Sequence, residues 1–444
     1  MKKSLTLSLS IAGLFALLPP ASAQQGASVA GYKLLTTITL PNGLAGNDIS
    51  WVDPGNGRYY LADRGDATKS PVVPPTVDVI DTVNNRFITS VVLPSAANGI
   101  IAIPRQHEIW VGLNDSTVQV ISTDTLTITH QVSTGGTARA DETAYDPADG
   151  LLLIANDRDS PPFVSFISTA TYSVAKKLLY DGNQANLSTG GLEQPVWDSL
   201  LGKFYLAIPA TQTNPSGEVD ELDPQFFTVT RVFPTKCTGP TGNVLIPNQR
   251  LMVACGDVID IPTGKVVTTV AGVGGDEIWY NPGDERVYFG GGADRISVSV
   301  VDANTYALIT TLTVGQIVAA PGISQTTHSL AADADNNKLF VPVTGVGVQV
   351  WRNGASLTVV PNPVTAGTNG DGTAYIAWSA PNATIVEIHV GSPTGPVFGR
   401  VLNHGSQPTA AWLTDGTTLY LQDVSSAPAA ASNTIATVVV HLQH

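Results

Sequence analysis

"DISWVDPGNGRYYLAD", residues 48–63, decides the fold. An apolar run headed by a carboxylate meets a turn of Pro, Gly and Asn, and a second run rich in aromatic and aliphatic residues follows. Two β-prone runs around such a turn read as a hairpin. The same phrase returns as "NGIIAIPRQHEIWVG" (98–112), "DETAYDPADGLLLIAND" (141–157) and "EQPVWDSLLGKFYLAI" (193–208). It returns again as "TGNVLIPNQRLMVAC" (241–255), "DEIWYNPGDERVYFGG" (276–291) and "HSLAADADNNKLFVPV" (328–343). Most units carry two further strands, as in "STVQVISTDTLTITHQV" (116–132) and "ISVSVVDANTYALITTLTV" (296–314).

Four strands per unit, repeated at roughly 45 residues, is the pattern of propeller blades. The expectation is an all-β, seven-bladed β-propeller over residues 24–354. The seventh unit runs out after "GVQVW" (347–351), while a spare strand, "YKLLTTITL" (32–40), stands at the start. Pairing that strand into the last unit would close the ring and cover an open sheet edge.

Residues 355–444 change texture, to six or seven short alternating strands in about ninety residues, the size of an immunoglobulin-like β-sandwich. No Cys pair accompanies them. In "VEIHVGSPTGPVFG" (386–399), "AAWLTDGTTLYLQDVS" (410–425) and "NTIATVVVHL" (433–442) the segment resembles the Ig-like modules appended to secreted bacterial proteins.

"MKKSLTLSLSIAGLFALLPPASA" (1–23) has a basic start, a short apolar run and a small-x-small end. That is the layout of a secretory signal cleaved near Ala23, with a secreted or periplasmic destination. The run is too short to span a bilayer, and no later segment is long and apolar enough, so no membrane span is expected. Formal net charge is −14, or −16 without Lys2 and Lys3, which argues against a nucleic-acid partner. The two cysteines, Cys237 and Cys255, are expected to pair in an oxidising compartment; the alternative is two separate buried thiols. They flank the hairpin of the fifth unit, so antiparallel pairing would bring them together. No C-x-x-C-H occurs, and neither haem nor a nucleotide is expected.

Counting six residues back from each turn gives Asp48, Asn98, Asp141, Glu193, Thr241, Asp276 and His328. All are polar, and one register would set them in a ring at the channel mouth. Crowded carboxylates are costly without protons or a cation. A divalent metal is therefore a candidate cofactor, with Asp48, Asn98, Asp141, Glu193, Asp276 and His328 as ligands. Oxygen donors favour Ca²⁺, and the His leaves Zn²⁺ or Mn²⁺ open. The alternative is a channel of polar residues bonded to backbone and water. Glu142 and Glu277 are expected on the opposite side of their strands by alternation. Loops after the second strands place Arg64, Asn114, Asn156 and Arg158 near the same mouth as candidate ligand-binding residues, with Asp63, Asp115, Asp157, Asp294 and Arg295 beside them. Surface turns with salt bridges are the alternative reading of those loops.

"EQPVWD" (193–198) resembles the E-x-P-x-W-D strand of the SMP-30/gluconolactonase-like propellers, and "ANGI" (97–100) resembles their N-G-apolar strand. That resemblance implies a metal ligand at Glu193, another at Asn98, and a third among Asp48, Asp141 and Asp276. Those enzymes have six blades with the Glu in the first; here it falls in the fourth of seven. "VDVIDTVNNRFITSVVLP" (77–94) and "VSVVDANTYALITTLTVG" (298–315) equally resemble the YVTN/YncE-like seven-bladed propellers. Two functions follow as expectations. One is a binding propeller that recognises a small-molecule or protein ligand at the mouth. The other is a metal-dependent lactonase or esterase. A non-catalytic subunit of a periplasmic redox complex is a third option. No G-x-S-x-G occurs, and six of the seven His fall outside the ring register, which leaves Ser-His-Asp catalysis without support.

Overall fold

The computed structural model describes residues 32–291, 295–317 and 324–443. The expected signal sequence (1–23) and Asp294 lie outside them. Among the described residues, seven successive four-stranded antiparallel sheets occupy positions up to 352. Their first strands are Asn47–Asp53, Ala97–Ile103, Thr143–Asp146, Pro195–Asp198, Asn243–Ile246, Ile278–Asn281 and Ala331–Asp333. Each lies beside the first strand of the next sheet, and Ala331–Asp333 lies beside Asn47–Asp53. The cycle is compatible with a propeller-like fold.

The repeat has a local cause at each turn. Asp53, Asp146, Asp198, Asn281 and Asp333 end their strands, and each side-chain oxygen accepts a backbone N–H two residues on, 2.8–3.1 Å away. An Asx side chain mimics the turn's own backbone bond, so the hairpin forms locally. The second strands are buried on both faces. Tyr59 and Leu61 point to the seventh sheet, and Tyr60 and Ala62 to the second. Equivalent apolar clusters fill every other gap between neighbouring sheets. Each large aliphatic or aromatic side chain so buried contributes about 1.5–3 kcal/mol. Fourth strands are more exposed, as in Arg86–Val92, where Phe87 packs toward the seventh sheet and Val91 toward the second.

The outer turns carry a second device. Leu126, Tyr172, Phe227 and Tyr306 adopt left-handed backbone, φ 50–61°. Bulky residues resist that conformation. Here the side chain packs into a gap between neighbouring sheets. Tyr172 stacks on Trp110 of the preceding sheet at 5.7 Å and donates its hydroxyl to Glu108 at 2.7 Å.

The seventh sheet takes its outer strand from the start of the chain, as the spare strand suggested. Lys33–Ile38 pairs antiparallel with Gly347–Arg352, from Lys33 opposite Arg352 to Ile38 opposite Val348. Buried Lys338 ties the same sheet to the first, donating to Thr82 O, Val83 O and Asn85 Oδ1 at 2.7–2.9 Å. Cys237 and Cys255 are disulfide-bonded, Cα atoms 5.6 Å apart. The bridge closes the fifth sheet, whose strands have only four or five residues.

After 355 the chain forms a three-stranded sheet (Ser356–Val360, Tyr375–Ser379, His404–Pro408) and a four-stranded one (Val397–Leu402, Ile385–Val390, Thr418–Asp423, Thr434–Val439). Leu357, Ile376, Trp378, Val386, Ile388, Leu419 and Leu421 fill the core between them. Two further two-residue strands, Val364–Thr365 and Leu442–Gln443, pair in parallel and lie beyond the sequence expectation. No helix among the described residues is long and apolar enough to cross a membrane.

Candidate functional site

Where the first strands begin, strict alternation fails. Asp141 donates its N–H to Ala155 O, while Ala155 N–H donates to Glu142 O. Two residues therefore stand opposite one, which is a β-bulge. Glu193 and Gln194 face Ala207 in the same way, and Asp276 and Glu277 face Gly290. In the first two sheets the register slips at Asp48–Ile49 and at Asn98–Gly99. A bulge re-aims a side chain that alternation would send away. The outcome is two levels of inward residues. The first holds Asp48, Asn98, Asp141, Glu193, Asp276 and His328. The second holds Glu142, Gln194, Glu277 and Ser329.

The first level is locked by the chain's own cations. His328 places Nε2 2.6 Å from Asp48 and Nδ1 2.8 Å from Asp276. Arg64 reaches Asp48 and donates to Asn98 Oδ1 at 3.0 Å. Arg139 lies 2.6 Å from Asp141, 2.8 Å from Asp157 and 3.6 Å from Asp48. Burial opposes ionisation of Asp48, but His328, Arg64 and Arg139 outweigh it and hold the carboxyl below its usual range. Burial likewise opposes ionisation of Asp276, and His328 again wins. Burial disfavours charge on His328, yet the two carboxylates push it up to about 10. Both ring nitrogens of His328 are thus engaged by carboxylates of the chain itself.

The remaining expected residues divide. Burial, then the charges of Asp276 and Asp157, push Glu193 up to about 8. Asp141, Glu142 and Glu193 bring one oxygen each within 4.8 Å of one another. Asp141 Oδ1 is buried with no hydrogen-bond partner. Burial, reinforced by Asp48 and Glu142, drives Asp141 well above the carboxylate range even beside Arg139. Thr241 instead bonds the Gly275 carbonyl at 3.1 Å. Of the loop residues, Asn114 sits 3.5 Å from Asn98. Asn156 is buried and donates to Ser116 Oγ and the Arg139 carbonyl. The Arg158 side chain is 69% exposed against Asp157, outside the lattice. Arg139, which the sequence reading did not single out, lies among these carboxylates. Its mark in the sequence was an Arg two positions ahead of a ring carboxylate, in the segment that leads into the strand.

The second level spans the axis. Glu142 of the third sheet and Glu277 of the sixth share a hydrogen bond, both driven well above the carboxylate range by burial first. Glu277 Oε2 is buried without a partner. Gln194 reaches over the fifth sheet to Ile278 O at 3.2 Å. Gly242 permits this: a Cβ there would sit 2.7 Å from Gln194 Oε1. Gly99 is required equally, since its Cβ would sit 1.8 Å from Asp141 O.

Beyond this level an axial cavity of about 650 Å³ opens. Glu142, Gln194, Glu277 and Ser329 line its inner end, and the ring residues are not part of its wall. Ile100, Ile101, Val196, Leu245 and Ile278 line the sides, with Trp51, Tyr145, Trp197, Trp279 and Tyr280 further out. Trp51 and Trp279 pack edge to face at 5.0 Å. Sequence reasoning missed this cavity, because which aromatic faces inward depends on how the ring closes.

No protein-family model matches the chain, and no curated protein matches it.

Proposed function

We propose that the chain is an exported seven-bladed β-propeller, closed by its N-terminal strand and followed by an Ig-like sandwich, that works as a binding protein. Its ligand is a small molecule held in the axial cavity. The observation that carries this reading is the cavity: about 650 Å³, apolar along its sides, with a few polar groups gathered at one end. Ligand sites have that make-up. The opposite mouth was the first expectation for recognition, but there Arg64, Arg139 and His328 are engaged by the chain's own carboxylates.

Saturable binding of the neutral fluorophore N-phenyl-1-naphthylamine tests the reading. One site per chain is expected, and Val196→Trp, which fills the cavity from its wall, abolishes it. Absence of saturable binding, or equal binding by the filled variant, refutes it.

A second reading rests on Asp141, Glu142 and Glu193. An all-oxygen set with an unpartnered Asp141 oxygen suits Ca²⁺. When bound, such a cation supplies Lewis-acid polarisation of an ester or lactone carbonyl. The three carboxylates would hold the ion, and Arg139 beside Asp141 would limit its charge. Calcium should then raise the melting temperature, Glu193→Gln should remove that rise, and a lactone and ester panel separates a hydrolase from a binding protein.

A further inference from the structure

We infer that the axial cavity takes an organic ammonium ion with an apolar body, the ammonium meeting Glu277 and Glu142 and the body lying among Trp51, Tyr145, Trp197 and Trp279. The inference rests on the cavity reading above and names its ligand class.

Charge complementarity comes first. Two carboxyl groups, from the third and sixth sheets, close the inner end, and they share one hydrogen bond between them. Glu277 lines the cavity, is 4% exposed, and leaves Oε2 without a partner. A buried acceptor without a donor costs free energy that a bound N–H would recover. An ammonium group brings up to three such donors and a positive charge to this acidic end.

The walls match the rest of such a ligand. Aromatic faces attract cations and bury apolar groups equally well. Trp51, Tyr145, Trp197, Trp279 and Tyr280 are half-buried, with ring surface left uncovered. From the level of Glu142 to the turn is four residues of strand, about 13 Å at 3.3 Å per residue. That accommodates an extended eight-carbon chain. An anion is disfavoured because the inner end is acidic. The one cationic side chain in the lining, Arg105, belongs to the turn at the outer end.

Titration calorimetry on the full chain, with octylammonium, octanol and octanoate as probes, tests this. Octylammonium should bind about tenfold or more tightly than octanol, the range of a charge-assisted hydrogen bond. Octanoate should bind weakest. Glu277→Gln should erase the ammonium advantage while leaving octanol affinity within about twofold, which also shows that the cavity is intact. Octanol or octanoate binding as tightly as octylammonium overturns the inference, and so does an advantage that survives in Glu277→Gln. If N-phenyl-1-naphthylamine binds and the advantage is missing, the cavity reading stands and this one falls. If no probe binds, both fall.

Discussion

The two ends of the axial passage are built from the same seven strands and solve opposite problems. At the mouth, Asp48, Asp141, Asp157 and Asp276 meet Arg64, Arg139 and His328 in direct ion pairs. One step inward, burial drives Glu142 and Glu277 well above the carboxylate range, and beyond them the walls are apolar. A group with its partner built in serves structure. A group left short of partners is available to something else. In the third, fourth and sixth sheets the bulge divides the two, because it gives the strand one residue for either task.

The largest test of that division removes what both ends share. Deleting residues 32–40 exposes the edge of Gly347–Arg352 and the Ile38 and Leu40 core. The whole ring should lose its cooperative thermal transition, seen by calorimetry; a local, mild effect would show that the sheets are independent. Asp48→Ala should come next. It takes one carboxylate from Arg64, Arg139 and His328 at once, and breaking a buried ion pair from one side costs about 3–5 kcal/mol in urea unfolding. Octanol binding should survive in that variant at low denaturant if the two ends are separable.

The pH dependence is smaller and has a definite sign. His328 has an ordinary value of 6.5 and stands near 10 in the fold, so its contribution is full below 6.5 and fades as pH rises through 10. Glu193 rises from 4.5 to about 8, so stability again declines as pH climbs through that window. Asp48 and Asp276, held low, act only when pH falls below 3.8. The melting temperature should therefore be higher at pH 5.5 than at pH 9, and His328→Gln should flatten the alkaline part of the curve. The smallest stability effect belongs to the inner end. Glu277→Gln mimics the neutral acid and should change unfolding by under about 1 kcal/mol. A loss as large as that of Asp48→Ala would make Glu277 a structural residue and erase the contrast.

Much of this was legible in the sequence. The hairpin recurs because each turn is fixed by its own Asx residue, and the second strands are apolar throughout because both faces are covered. The ring register followed from counting back from those turns. Glu142 and Glu277 were misjudged for one reason: alternation was counted through a bulge. Its mark lay on the partner strand, where Ala62, Gly112, Ala155, Ala207, Ala254 and Gly290 are all small. The roles of His328 and the cavity were out of reach, since each needs side chains from sheets far apart in sequence.

The strand Lys33–Ile38 also sets a clock. Its partner ends at Arg352, so Lys33–Ile38 must wait for that pairing until about three hundred later residues exist. Contacts that distant in sequence form slowly, because loop closure must be met before they repay it. The first six sheets can form in the order of synthesis, each upon its predecessor. The seventh alone must wait for both ends of the ring, so its completion is the step that times the appearance of the native state.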